Sequence, residues 1–168
     1  MRFFARLFAR RPRIDHVCDG DLQHFITRTW RITLPRDWRL HIQDRHSLYF
    51  ESADRYTGLY VSLLKLREEK NLPLHEIAEK LHTATRLGLC SLRDYDWSLQ
   101  QDEIRTTREG GTAVLDAHDR KRCYRLCTQT EIKPPYALRL AYHDTLCQNY
   151  AARRQQGQQV LASARITL

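Results

Sequence analysis

The chain has 168 residues, of which 42% are hydrophobic, and it carries a net charge of +8 at pH 7. This length fits a single domain, and the apolar content is enough for one packed core, which excludes a wholly disordered chain. The cations are 23 arginines and 5 lysines, and such a surface favours acidic proteins, anionic lipid or nucleic acid as partners. No stretch approaches the roughly 18 apolar residues of a transmembrane helix.

Residues 1–13 are predicted to form a basic amphipathic segment ahead of a single α+β domain over residues 14–168. A Phe-Ala-Arg motif occurs twice, and Pro12 ends the helical pattern. This helix either packs on its own domain or docks on a protein partner or an anionic membrane surface. Its arginines interrupt any secretory signal, so we expect a cytoplasmic protein, with a mitochondrial-type presequence as the alternative. The apolar docking face comprises Phe3, Phe4, Leu7 and Phe8.

An apolar pattern with a period of two begins at Trp30 and predicts four strands in the first half of the chain. Residues 15–28 show no clear pattern. The fourth strand is apolar on both faces, which indicates a central, covered position in a sheet. The predicted strands are residues 30–34, 38–42, 47–51 and 59–66.

A helix is predicted over residues 73–87. Pro73 stands in its first turn, and Gly88 is expected to end it. Apolar residues at helical spacing form a stripe that must cover sheet surface. The stripe comprises Leu74, Ile77, Ala78, Leu81 and Ala84.

Four further strands and a closing helix over residues 148–165 make up the second half. Hairpin-length connections indicate antiparallel pairing. We therefore expect an α+β protein, a mostly antiparallel β-sheet flanked by helices as an α/β/α sandwich. The predicted strands are residues 96–107, 112–118, 123–132 and 136–142.

The five cysteines include no C-x-x-C motif. Cys123 and Cys127 lie four residues apart in a predicted strand, which separates them by roughly 13 Å. That separation is too long for a disulfide or a shared metal ion. We expect buried free thiols in a reducing compartment.

One face of the predicted helix over residues 73–87 carries three possible metal ligands, His75, Glu79 and His82. Histidine with carboxylate suits zinc. This face is the polar one, away from the apolar stripe, so a solvated helix face is the favoured interpretation. We predict no bound metal and no cofactor.

Two pairs place a histidine near a carboxylate, as a general base requires: Asp116 with His118, and His143 with Asp144. Surface hydrogen bonds are the favoured interpretation of both pairs. Cys147 follows His143 by four residues, but no glycine-rich element accompanies it. We predict no catalytic residue and no enzymatic activity.

A basic and aromatic patch is predicted where Arg120, Lys121, Arg122 and Arg125 surround Tyr124. An acidic protein partner is favoured over nucleic acid, because the chain has no nucleic-acid recognition motif, and a plain solvated surface is the other alternative. The predicted partner-binding residues lie on the polar sides and turns of the strands: Arg39, His41, Arg55, Tyr56, Arg120, Arg122 and Arg125.

The predicted strands are also rich in tyrosine. This abundance reflects either the β-propensity of aromatic residues or an interface, where Tyr and Arg are enriched. The tyrosines concerned are Tyr49, Tyr56, Tyr60, Tyr136 and Tyr142.

Three strand segments and the closing helix resemble the PsbP/Mog/DcrB group of α/β/α sandwiches. The resemblance covers residues 28–166 and rests on core-strand patterns, and it implies that fold in a protein that binds partners and is not an enzyme. The matching segments are Ile32-Thr33-Leu34-Pro35-x-x-Trp38, Leu48-Tyr49-Phe50-Glu51-Ser52, Gly58-Leu59-Tyr60-Val61-Ser62 and Val160-Leu161-Ala162-Ser163-Ala164.

Bacterial relatives in that group include chaperones of type VI secretion effectors and immunity-type proteins. The resemblance therefore implies a cytoplasmic immunity protein that neutralises a secreted antibacterial effector by occlusion. An effector chaperone or adaptor of the same secretion system is the first alternative. A peripheral membrane or nucleic-acid binder that uses residues 1–13 and the basic hairpin is the second.

Overall fold

The computed structural model describes residues 13–43, 47–66, 72–147 and 150–167. The predicted docking face of Phe3, Phe4, Leu7 and Phe8 lies outside these residues. Within them the chain forms two helices and eleven strands. In chain order the elements are β1 Asp15–Asp19, β2 Leu22–Ile26, β3 Trp30–Pro35, β4 Arg39–Gln43, β5 Leu48–Glu51, β6 Thr57–Lys65, α1 Leu74–Cys90, β7 Ser98–Thr106, β8 Gly111–Asp119, β9 Tyr124–Lys133, β10 Tyr136–Asp144, α2 Tyr150–Ser163 and β11 Arg165–Ile166.

The strands form two antiparallel sheets. Seven strands pair in the order β4-β5-β6-β10-β9-β8-β7, and four pair in the order β1-β2-β3-β11. This arrangement confirms the predicted α+β class with mostly antiparallel sheet. The hairpin of β1 and β2 was not predicted, because every residue of β1 is exposed and the strand therefore lacks an alternating apolar pattern.

The two faces of the seven-stranded sheet are covered differently. On one face, α1 lies over β7, β8 and β9. On the other face, the four-stranded sheet and α2 pack together over the main core, so this layer contains strands as well as a helix. Fully buried side chains of that core include Ile32, Leu34, Phe50, Leu59, Leu138, Leu140 and Tyr142.

The helix α1 continues past Gly88, where the sequence predicted its end. A glycine inside a helix costs about 1 kcal/mol relative to alanine. Burial of Leu89 against Leu115 contributes about 2 kcal/mol, so tertiary packing outweighs the local stop signal. The buried face is also rotated from the predicted stripe, because Ala84 is exposed and Thr85 is buried.

The helix α2 approaches the larger sheet closely at Gly157. A Cβ atom at this position would lie 2.9 Å from Cε1 of Tyr142, so the contact requires a glycine. The helix ends at Ser163, earlier than predicted, because Arg165 and Ile166 pair with β3 instead. Both helices are therefore fixed by specific contacts with strands.

Candidate partner-binding site

Six of the seven predicted partner-binding residues are exposed at one end of the seven-stranded sheet. The register pairs Arg39 at the start of β4 with Glu51 of β5, and it pairs Glu51 with Gly58 near the start of β6. The β5–β6 turn and the β8–β9 turn reach the same end of the sheet. The exposed residues are Arg39, His41, Arg55, Tyr56, Arg120 and Arg122.

The seventh residue, Arg125, is fully buried, so its assignment to the partner surface is wrong. Its Nε and Nη2 atoms donate hydrogen bonds of 2.9 and 2.8 Å to the two carboxylate oxygens of Asp116 on β8. Side chains alternate along a strand, and this one points to the face that α2 covers, near Gly157. Asp116, the ion-pair partner that makes this burial possible, lies on a different strand, so the local sequence around Arg125 does not reveal it.

Two arginines of α2 lie over this buried pair. The Nε atom of Arg154 is 3.7 Å from Oδ2 of Asp116, and the Nε atom of Arg153 is 3.8 Å from Oδ2 of Asp144. Asp116 and Asp144 are fully buried, so the two arginines compensate charge inside the protein. These ion pairs between α2 and the strands therefore hold the helix on the sheet and have a structural role.

The predicted general-base pair Asp116 and His118 is buried rather than a surface pair. Arg125 occupies both oxygens of Asp116, and burial, aided by the charge of Arg120, lowers the pKa of His118. Cys147 is buried as well, and burial raises its pKa to about 11, which opposes thiolate formation at neutral pH. Asp116 is therefore engaged in an ion pair with Arg125, and the thiol form of Cys147 is favoured at neutral pH.

The three possible metal ligands on α1 are also separated. His75 and Glu79 are exposed, as a solvated face requires, but His82 is buried and hydrogen-bonded to Asp102 of β7. Arg86 adds an ion pair of 3.2 Å to the same carboxylate. Within the described residues, no group of three or more His, Cys, Asp or Glu side chains is placed to hold a metal ion.

A line of rings crosses the seven-stranded sheet on the face that carries α1, from β4 to the residues that precede β7. Neighbouring ring centres are 6.4 Å apart for His41 and Tyr49, 4.6 Å for Tyr49 and Tyr60, 5.9 Å for Tyr60 and His143, 6.3 Å for His143 and Tyr124, 5.3 Å for Tyr124 and Tyr95, and 5.0 Å for Tyr95 and Trp97. We call this set of seven residues the aromatic row.

The strand register creates the centre of the row. Tyr49 and Tyr60 are directly opposite each other on β5 and β6, and His143 on β10 is opposite Gly58. A Cβ atom at Gly58 would collide with Nε2 of His143 and with the hydroxyl of Tyr49. The absence of a side chain at Gly58 is what allows rings from β5 and β10 to meet across β6.

Hydrogen bonds hold these rings in place. The Tyr49 hydroxyl donates to Glu51 Oε1 at 3.2 Å, and it lies 3.2 Å from His143 Nε2. His41 Nε2 is 3.2 Å from the second oxygen of Glu51. Burial, aided by the charge of Glu51, raises the pKa of Tyr49 to about 12, and burial lowers the pKa of His143. Tyr49 is therefore protonated at neutral pH, and the neutral form of His143 is favoured.

The row is accessible from solvent and bordered by arginine. Tyr60 is 42% exposed, and the other rings are half-buried or, like His41, exposed. The guanidinium of Arg122 lies 4.7 Å from the centre of the Tyr95 ring, within range of a cation–π interaction. Rigid tyrosine, tryptophan and arginine side chains dominate the energetic centres of protein interfaces. Five members, His41, Tyr49, Tyr60, Tyr124 and His143, were noted from sequence for separate reasons. Tyr95, Trp97 and the row itself were missed, because cross-strand contact has no local signal.

Comparison of the fold with solved structures finds a strong likeness. The solution structure of cyanobacterial PsbP (CyanoP) from Synechocystis sp. PCC 6803 aligns with a TM-score of 0.68 at 13% identity, over 90% of this chain and 98% of that chain. The fold is PsbP-like. The resemblance read from the strand segments is thereby confirmed at the level of fold. At this identity the likeness shows the PsbP-like fold alone.

The other comparisons carry no further argument. A crystal structure from Bacteroides thetaiotaomicron VPI-5482 aligns with a TM-score of 0.46 at 14% identity, over 83% of this chain and 45% of that chain, which is too weak to carry an argument. No protein-family model matches the sequence, and no curated protein matches it. Among the described residues, neither helix combines the length and the apolar character that a membrane-spanning helix requires.

Proposed function

We propose that this PsbP-like chain is a non-enzymatic protein-binding domain that holds an acidic partner against the aromatic row. The observation that carries the proposal is the row itself, in which rings from five strands and from the segment that precedes β7 meet on an accessible sheet face. The rings supply apolar contact at low conformational cost, since their mutual packing already limits their motion. The exposed arginines Arg39 and Arg122 supply charge at the same end of the sheet.

The biological role that we propose is immunity. The partner is then a secreted, type VI-like antibacterial effector, and the chain neutralises it in the bacterial cytoplasm by covering its active surface. A stable interface of this kind buries about 800 Å² on each partner. The support for this role is the resemblance to a group that includes immunity-type proteins, together with the basic charge of +8, which suits an acidic effector surface.

A co-expression experiment tests this role. The product of the gene next to the one that encodes this chain is produced in bacteria with the chain, without it, and with the Tyr60→Ala variant. We expect toxicity without the chain, full protection by the wild type and reduced protection by the variant. Unchanged toxicity in the presence of the folded wild-type chain would contradict the immunity role.

An effector chaperone of the same secretion system is the alternative role for the same surface. A chaperone stabilises its effector before secretion, so loss of the chain lowers the effector's abundance instead of releasing its toxicity. Effector level and cell survival, measured in the same cultures, therefore separate the two roles.

A membrane or nucleic-acid binder is the second alternative. In an assay of binding between the chain and its protein partner, liposomes and single-stranded DNA serve as competitors. Displacement of the protein partner by either competitor would favour a membrane or nucleic-acid binder.

A further inference from the structure

The strand β7 is one edge of the seven-stranded sheet, and no strand of the described residues pairs with its outer side. All of its nine residues except Gln101 are exposed. The unpaired N–H and C=O groups of such an edge are a template for pairing with another strand. The other edge, β4, is less suited to this pairing, because it has only five residues and a bulge between Leu40 and Ile42 interrupts it.

The hairpin that joins β7 to β8 fixes which backbone groups face the open edge. The N–H group of Thr107 donates to the carbonyl oxygen of Gly110 at 2.8 Å, which identifies these two residues as a hydrogen-bonded pair. Hydrogen-bonded and non-hydrogen-bonded pairs alternate along an antiparallel ladder, and the register with β8 is regular from Gln101 to Thr106. The backbone groups of every second residue before Thr107 therefore face β8, and those of the residues between face outward. The outward-facing residues are Asp102, Ile104 and Thr106.

The charges of this segment match those of a second copy when the two strands run antiparallel about Ile104. In that register Glu103 lies opposite Arg105 of the second copy, and Arg105 lies opposite Glu103 of the second copy. Opposite charges that face each other across a strand pair are stabilising. If the two-fold axis passed through Glu103 or Arg105 instead, that residue would meet its own like charge. The sequence therefore favours the register centred on Ile104.

The two charged side chains are available for this contact. Within one chain they form an ion pair of 2.6 Å from Nη2 of Arg105 to Oε2 of Glu103, with the side chains 79% and 44% exposed. They lie two residues apart and so project from the same face of the strand. Two such pairs brought together about Ile104 form a square of alternating charge.

We propose that the chain forms a symmetric dimer in which β7 pairs with β7 of a second copy, centred on Ile104. The outward-facing N–H and C=O groups of Ile104 then bond to those of the second copy, and Asp102 bonds in the same way to Thr106. The exposed side chain of Ile104 packs on its own counterpart across the axis. The two seven-stranded sheets join into one continuous antiparallel sheet, with an isologous interface. The dimer goes beyond the proposed function and does not depend on it, since its contacts lie on β7.

The test is a charge exchange followed by analytical ultracentrifugation of the full-length protein over a range of concentrations. We expect the wild type to show a monomer–dimer equilibrium. Arg105→Glu places like charges opposite each other at two symmetric positions, so it should weaken dimerisation by at least about tenfold. Arg105→Glu combined with Glu103→Arg restores opposite charges, and we expect it to restore the wild-type dissociation constant to within about threefold.

The control is Arg31→Glu, which makes the same change of net charge at an exposed position on β3 and should leave dimerisation unchanged. A change in net charge alone would affect both single variants equally, and it cannot explain rescue by the double variant. A wild-type monomer at every concentration up to about 1 mM would overturn the proposal and leave this edge unpaired. A dimer that Arg105→Glu does not weaken, or a double variant no tighter than Arg105→Glu, would overturn it as well.

Discussion

Tyr49 on β5 and His143 on β10 are hydrogen-bonded across the strand that lies between them, with 3.2 Å from the hydroxyl oxygen to Nε2. The contact passes over Gly58 of β6, where a side chain would collide with both groups. One glycine thus links three neighbouring strands into a single ring cluster.

We expect Gly58→Ala to lower the free energy of unfolding by about 1–3 kcal/mol, because the added methyl group must displace Tyr49 and His143. Urea unfolding measures this change. Gly88→Ala is the matched control, since a Cβ atom at Gly88 meets nothing within 4 Å and alanine favours the helix. We expect that control to stabilise the protein by up to about 1 kcal/mol. Equal effects of the two variants would contradict the proposed packing.

Arg125→Ala is expected to lower the free energy of unfolding by about 3–5 kcal/mol, because Asp116 would remain buried with its main partner removed. Arg122→Ala, at an exposed position in the same turn region, is expected to change stability by no more than about 0.5 kcal/mol. Thermal or urea unfolding compares the two. If both variants were equally stable, the buried ion pair would not have the structural role described for it.

The stability of the protein is expected to fall as the pH decreases from 7 to 5. Burial lowers the pKa values of His143 and His118, so the unfolded chain binds protons more readily than the folded chain. The stability that these residues contribute is fully present above the unfolded pKa of about 6.5, and it is lost as the pH falls through the folded values. His143→Gln is expected to flatten this part of the profile, and a profile of unchanged steepness would contradict the burial argument.

Partner association is expected to be fast and sensitive to salt. Arg122 contacts Tyr95 of the row, and Arg39 lies at the same end of the sheet. Arg122→Glu should therefore slow association, and the wild-type rate should fall steeply as the ionic strength rises. Arg31→Glu, on β3 of the other sheet, is the charge-matched control and should change the rate much less. Stopped-flow mixing or surface plasmon resonance at several salt concentrations measures the association rate of each variant. An equal effect of the two variants would place the interface elsewhere.

Local periodicity was sufficient to predict much of the fold. The alternating residues from Trp30 to Leu34 and the helical spacing from Leu74 to Leu81 each predicted an element that the structure contains. These patterns arise because the elements bury one face against the core. The strand β1 buries no residue, so its sequence has no alternating apolar pattern that could predict it.

The candidate site could be predicted only in part, because it is created by strand pairing. Tyr49, Tyr60 and His143 come from three strands, and no spacing along the chain indicates that they meet. Arg125 was placed on the surface because an isolated charge is normally exposed, and only the register that brings Asp116 beside it makes burial possible. Charge compensation between residues on two different strands cannot be predicted from a single sequence.

The central claim is tested most directly by titrating the purified product of the neighbouring gene against the wild-type protein, Tyr60→Ala and Leu22→Ala. The two side chains have similar exposure, 42% and 46%, but Leu22 lies on β2 in the other sheet. We expect Tyr60→Ala to weaken binding by about 30-fold or more, as loss of an interface centre does, and Leu22→Ala to leave the dissociation constant unchanged. Unaltered affinity in a folded Tyr60→Ala protein would contradict the assignment of the aromatic row as the binding surface.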